Sequence, residues 1–150
     1  MNLISSKNIS MSLSKTCITN FNPKVEVSIC FIEFENKILF LKNNNKKWGV
    51  PGGKFNSKET PFEAVQREVF EETKINLEPT KTHLKHTIYT RVPETDAILY
   101  VFKTILFKKH DVIINYKEHN EYLWSKLNDC FTLDLMRGEH EIINLLYNNH

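Results

Sequence analysis

The chain predicts a single mixed α/β sandwich, and three observations carry that expectation. β-branched and aromatic runs recur along most of its length, a well-marked helix interrupts them at Pro61, and a second helix with an apolar stripe comes last. At 150 residues and 41% hydrophobic content, the chain suits one packed core rather than two.

Residues 1–22 are rich in Ser, Asn and Lys and read as a poorly ordered tail or an added edge segment, with the domain proper at 23–150. Removal of residues 1–20 is therefore expected to leave the domain working. Residues 25–34 (VEVSICFIEF) and 37–41 (KILFL) are strand-like runs separated by the turn-forming pair Glu35-Asn36, which predicts a hairpin. A polar loop at 43–47 leads into Trp48-Gly49-Val50-Pro51-Gly52-Gly53, whose glycines permit close backbone approach. A helix is expected from Pro61 to about Thr73. Thr60 can cap it, Pro61 suits the first position because no N–H is needed there, and Glu63 completes a Thr-x-x-Glu capping box. After a break at Leu77-Glu78-Pro79, residues 83–92 predict a strand, 93–96 a turn, and 97–107 a long strand suited to the sheet centre. Residues 112–116 and 122–124 read as short strands, and residues 138–147 carry Ile142, Leu145 and Leu146 at helical spacing.

Composition excludes several classes. Twenty basic against 18 acidic residues, a net charge of +2, give no broad field for nucleic acid, although a small polyanion remains compatible. Cys17, Cys30 and Cys130 are odd in number and widely spaced, which argues against a disulfide framework or a zinc knuckle and for reduced thiols in a cytoplasm. Residues 1–20 lack the continuous apolar core of a signal peptide, and no run approaches the roughly eighteen apolar residues of a membrane span. His83 and His86 would point to opposite faces of a strand, with no further ligand nearby in sequence, so a zinc role is not expected.

The densest chemistry lies in residues 53–75, GKFNSKETPFEAVQREVFEETKI. At about 100° per residue, Glu68, Glu71 and Glu72 share roughly one hundred degrees of helix arc, beside an apolar stripe of Phe62, Val65 and Val69. Like charges at this spacing cost a helix about 0.2–0.5 kcal/mol per pair, and Arg67 lies on the flank of the arc. A hard divalent cation such as Mg²⁺ or Mn²⁺ would turn the repulsion into ligation, although acidic faces are commonly just solvated. A phosphate P-loop ending at Gly53-Lys54 fails, because Trp48 stands where its first glycine belongs and Phe55 where Ser or Thr should bind the metal.

Spacing decides between the cation and the solvated face. Gly53, five residues, Glu59, seven residues, then Arg67-Glu68-Val69-x-Glu71-Glu72-x-x-Ile75 resembles the Nudix box, the signature of hydrolases acting on a nucleoside diphosphate linked to another group. The lead-in Trp-x-x-Pro-Gly-Gly at residues 48–53 is also similar to that family. One position departs from the pattern: Lys74 stands where the family has glycine, at a helix end that commonly takes a left-handed residue.

The resemblance implies a Nudix-type α/β/α sandwich, with a mixed sheet between the helix of the box and a C-terminal helix. It implies Mg²⁺ or Mn²⁺ as cofactor, with Glu68, Glu71, Glu72 and the Gly53 carbonyl as ligands, Arg67 orienting the carboxylates and Glu59 either supporting the loop or binding metal weakly. Family members often add a glutamate before a Trp-containing strand, so Glu118 is the first candidate and Glu121 the second, although loop carboxylates are ordinarily just solvated. Either Glu68 or Glu118 would be the general base. Gly52, Gly53 and Lys54 would meet the phosphates, and Trp48 or Tyr100 the base, Trp48 being equally suited to the core. The implied partner is a small nucleotide, with no nucleic acid and no membrane, and the protein would be a cytoplasmic monomer or homodimer. The expected reaction takes a nucleoside triphosphate, possibly oxidised, to monophosphate and pyrophosphate. Diadenosine polyphosphates, nucleotide sugars and ADP-ribose are the alternatives. A nucleotide-sensing module without hydrolysis is the competing class, and it has no chemical need for Arg67, Glu68, Glu71 and Glu72 together.

Overall fold

In the computed structural model, which describes residues 3–5, 12–92 and 95–148, the chain runs β1 (Leu3–Ser5), β2 (Ser12–Ser14), β3 (Pro23–Phe34), β4 (Lys37–Asn43), β5 (Trp48–Gly49), β6 (Gly52–Lys54), α1 (Pro61–Thr73), β7 (Thr82–Val92), β8 (Thr95–Leu106), β9 (His119–Lys126), α2 (Leu127–Cys130) and α3 (Glu139–Tyr147). The described strands form one mixed sheet in the order β1-β2-β7-β8-β3-β4-β5, with β6 pairing β3 and β9 pairing β4. β8 is interior, as its length predicts, antiparallel to β7 and parallel to β3. The β3–β4 hairpin turns through Glu35 and Asn36, whose φ values of 50° and 63° belong to the two-residue turn that matches strand twist.

Alternation along the strands divides the core into two layers. Phe31, Ile38, Phe40 and Val101 meet Ile142, Ile143 and Leu145 of α3 on one face. Cys30, Ile32, Leu39, Leu41 and Phe102 meet Val65 and Val69 of α1 on the other. The sheet is therefore sandwiched between the two helices, as expected, and each large side chain buried there contributes about 1.5–3 kcal/mol.

Two expectations give way, and a third is narrowed. Residues 112–116 form no strand. β9 already fills one edge of β4 along its length, and β3 and β5 share the other, so this segment packs as extended coil, with Ile114 buried in the α1 layer and the Ile113 N–H donating to the Thr73 carbonyl at 3.0 Å. Of the two expectations for residues 1–22, the added edge segment matches residues 12–14, while residues 1–2 and 6–11 lie outside the described residues. β2 pairs with β7, Leu13 is 1% exposed, and Arg91 donates to the Thr19 and Asn20 carbonyls. Finally, the register of β7 slips between Leu84 and His86, which sets His83 opposite Lys103 and His86 opposite Val101. The bulge thus puts both histidines on one face, yet neither belongs to the metal-capable cluster found among the described residues. Pro93 and Glu94 of the expected turn lie outside the described residues. No described helix is long and apolar enough to cross a membrane.

Candidate active site

The capping box places α1. The Thr60 hydroxyl accepts from the Glu63 N–H at 3.2 Å, and the Glu63 carboxylate accepts from the Thr60 N–H at 3.0 Å. Ala64, Val65 and Val69 are buried beneath the helix, and the Ser28 hydroxyl donates to the Pro61 carbonyl at 2.8 Å, fixing its first turn to β3. The acidic edge of α1 then faces β6. A Cβ at Gly52 would lie 2.3 Å from the Ser28 carbonyl oxygen, which forbids a side chain there, and one at Gly53 would lie 2.5 Å from the Glu68 carboxyl carbon and so would push the Glu68 carboxylate out of its place.

Glu72 closes this contact, its Oε1 accepting from the Gly52 N–H at 2.8 Å. Only 4% exposed, its carboxyl is pushed up to about 8, first by burial and then by the charges of Glu68, Glu118 and Glu71, against the lowering effect of the Gly52 bond. Burial also raises the Glu68 carboxyl, which Arg67 partly offsets. Arg67 is the hub: Nε and Nη2 donate to Glu59 at 2.7 and 3.0 Å, Nη1 to Glu68 at 2.9 Å and Glu71 at 3.3 Å, and Nη2 also to the Lys54 carbonyl at 3.0 Å. A guanidinium has five N–H groups, and all five are engaged. Its hydrogen bonds hold the Glu59 carboxyl below the usual range. Glu71 is half-exposed at the rim.

Two of the candidate glutamates separate here. The Glu118 charge is felt by Glu68, Glu72 and His119, whereas Glu121 pairs with Lys42 at 3.1 Å on the β4–β9 ladder. His119, which the sequence did not single out, places Nε2 3.5 Å from Glu72 Oε2. Burial lowers its pKa, so the ring is neutral near pH 7. Ligand atoms of Glu72, Glu118 and His119 all lie within 4.8 Å of one another. This set fits a divalent cation: its carboxylates are hard oxygen donors, and the most buried of them bears an ionisation penalty that a cation would remove.

The outer candidates are placed differently. Tyr100 donates its hydroxyl to Glu26 at 3.0 Å and lies beside Phe55, ring centroids 5.6 Å apart. Phe55, Glu26, Lys54, Lys58 and Glu59 line an open cleft of ≈ 620 Å³ there. Trp48 packs against the α3 layer, with the Lys42 ammonium 5.6 Å from its ring centroid. Its N–H donates to the Asp134 carbonyl and its carbonyl accepts from the Met136 N–H, each at 2.8 Å.

The NUDIX domain family pattern matches residues 22–146. The chain belongs to the NUDIX family. It is 26% identical over 124 residues to the Nudix hydrolase YvcI of Bacillus subtilis, a match covering 80% of this chain and 77% of that one. The crystal structure of a MutT protein from Methanosarcina mazei Go1 superposes with a TM-score of 0.70 at 27% identity, over 85% of this chain and 94% of that one. The NUDIX domain of Shewanella oneidensis NrtR, complexed with ADP ribose, gives 0.72 at 16% identity over 85% and 89%, a likeness of fold. The protein is accordingly a Nudix pyrophosphohydrolase with a MutT-like domain, and such enzymes generally use divalent metals. Within its Nudix box the departure at Lys74 leaves the backbone shape intact. Lys74 takes the left-handed conformation, φ 65° and ψ 11°, and donates its N–H to the Phe70 carbonyl at 2.9 Å.

Proposed function

We propose that this Nudix hydrolase cleaves nucleoside triphosphates, oxidised ones among them, to a nucleoside monophosphate and pyrophosphate. Mg²⁺ or Mn²⁺ would be held by Glu68, Glu71, Glu72, Glu118 and the Gly53 carbonyl. The observation that carries the reading is the Glu72 carboxylate, buried, bonded to the glycine loop, and grouped with Glu118. When bound, the cation neutralises phosphate charge and makes the attacking water more acidic.

The protein's own residues do the rest. A carboxylate, Glu68 or Glu118, takes the water proton as the water oxygen attacks phosphorus and the bridging P–O bond breaks, with pyrophosphate leaving. Burial raises the Glu68 carboxyl toward the range of a useful base, while Glu118 is exposed at the mouth. Arg67, with every N–H engaged by the site itself, positions Glu68 and Glu71. Gly52, Gly53 and Lys54 lie along the path of the phosphate chain, and Lys54 is exposed beside it. Tyr100 with Phe55 offers an aromatic face for the base on the α1 side of the sheet, and Trp48, packed on the α3 side, is the alternative. Three free cysteines accord with a reducing cytoplasm. The partner we assign is a small nucleotide, bound by a monomer or homodimer.

The test is product release across nucleoside triphosphates, oxidised nucleotides, diadenosine polyphosphates, nucleotide sugars and ADP-ribose, each with Mg²⁺ and with Mn²⁺. Metal-dependent turnover concentrated on the triphosphates is expected. Turnover confined to ADP-ribose or a nucleotide sugar would overturn the substrate, and tight binding without product would favour a sensing module.

A further inference from the structure

The segment before α3 runs parallel to the approach of the glycine loop. Trp48 bridges Leu135, its N–H donating to the Asp134 carbonyl and its carbonyl accepting from the Met136 N–H. In a parallel ladder the next bond would run from the Val50 N–H to the Met136 carbonyl. That carbonyl is already taken by the Glu139 N–H at 3.0 Å, where the chain turns into α3. The Glu139 side chain supplies the missing acceptor: its Oε1 receives the Val50 N–H at 2.7 Å. Glu139 is 7% exposed, and burial pushes its carboxyl up to about 7. A first-turn glutamate of an ordinary helix needs no such burial, since it can serve the helix dipole from solvent.

Two residues on, the Gly52 N–H is held by Glu72 from α1. Val50 and Gly52 thus each rest on a carboxylate, and the two carboxylates come from helices on opposite faces of the sheet. The space behind the loop is tight, since a Cβ at Gly49 would lie 2.7 Å from Met136 Sδ and 3.4 Å from Glu139 Oε1.

We infer that Glu139 is a positioning residue for hydrolysis. By completing the ladder at Val50 it fixes where Gly52 and Gly53 meet Glu72 and Glu68, and so couples the C-terminal helix to the metal-binding edge of α1. The role rests on the proposed chemistry, but the hydrogen bond can be observed without it.

Amide NMR of the nitrogen-15-labelled wild-type protein should show the Val50 N–H among the slowly exchanging amides. Rapid exchange there would overturn the inference whether or not the protein hydrolyses anything. Glu139→Leu removes the acceptor at similar volume, and should shift the Gly52 and Gly53 amides and lower kcat at least about tenfold with KM nearly unchanged, within the range that loop misplacement costs. Glu139→Gln keeps a carbonyl acceptor and should restore most of that kcat. A folded Leu variant with wild-type kcat, or one altered only in KM or base preference, would overturn the role, the latter by making Glu139 a substrate contact. An inactive wild-type enzyme with a protected Val50 amide would instead sink the proposed substrate and leave the coupling standing.

Discussion

The Gly52 amide donates to the Glu72 carboxylate at 2.8 Å, so one hydrogen bond ties the glycine loop to the last turn of α1. Any ligand of Glu72 is thereby registered against the loop that carries the Gly53 carbonyl.

Glu72→Gln keeps a carbonyl acceptor for that amide but removes the charge. The fold should survive while kcat falls by at least about 10². Thermal melting and turnover on one active nucleotide check this together, and undiminished turnover would remove Glu72 from the metal site.

Stability should depend on pH in a defined direction. The Glu72 carboxyl rises from 4.5 to about 8 in the fold, so its stabilising share is complete below about pH 4.5 and is lost as pH climbs through 8. Glu139, raised to about 7, acts in the same sense. Neutral His119 acts oppositely, losing its share as pH falls below its ordinary 6.5. Metal-free protein should melt at least about 5 °C lower at pH 8 than at pH 6, and saturating Mg²⁺ or Mn²⁺ should raise the melting temperature more at pH 8. Metal-independent melting curves would contradict ligation by Glu72.

Lys74 holds a left-handed backbone at the end of α1, at a steric cost of about 1–2 kcal/mol relative to glycine. Its ammonium lies 5.1 Å from the Phe70 ring centroid, which returns part of that. Lys74→Gly should therefore stabilise by no more than about 1 kcal/mol. A lower denaturant midpoint would show that the Phe70 contact outweighs the strain.

Glu118 and Glu121 make a matched pair of tests. Glu118→Gln should lower kcat by at least about tenfold, whereas Glu121→Gln removes only an exposed pair with Lys42, worth up to about 1 kcal/mol of stability. Equal losses in the two variants would place the additional glutamate elsewhere.

Deletion of residues 1–20 takes Leu13 out of the α3-side core and Ser12–Ser14 off the edge of β7. Stability should fall by at least about 2 kcal/mol, and chemical denaturation of the truncated chain would show it. An unchanged midpoint would mean that β7 tolerates a bare edge.

What the sequence made legible was whatever local chemistry decides. α1 starts and ends where its capping box and periodicity say, because Thr60, Pro61 and Glu63 act within one turn. The grouping of Glu68, Glu71 and Glu72 follows from helix geometry in the same way. Residues 112–116 misled because a β-branched run marks an extended chain, not a partner strand, and the partner edge was filled by β9. The parity of His83 and His86 depended on a bulge that no residue type announces. Glu139 and His119 were silent for the same reason: a carboxylate beginning a helix and a histidine beginning a strand look solvated until Val50 and Glu72 are brought against them.

The parallel pairing of β3 with β8 also sets an order of events during synthesis. β3 can close its hairpin with β4 as soon as residue 43 emerges, but its other edge waits for residues 95–106. At roughly 5–20 residues per second, the apolar run at residues 25–34 therefore stands open for several seconds. Such an edge is prone to pair with another chain, so crowded expression should yield aggregates seeded by β3, and slower synthesis should worsen rather than relieve them.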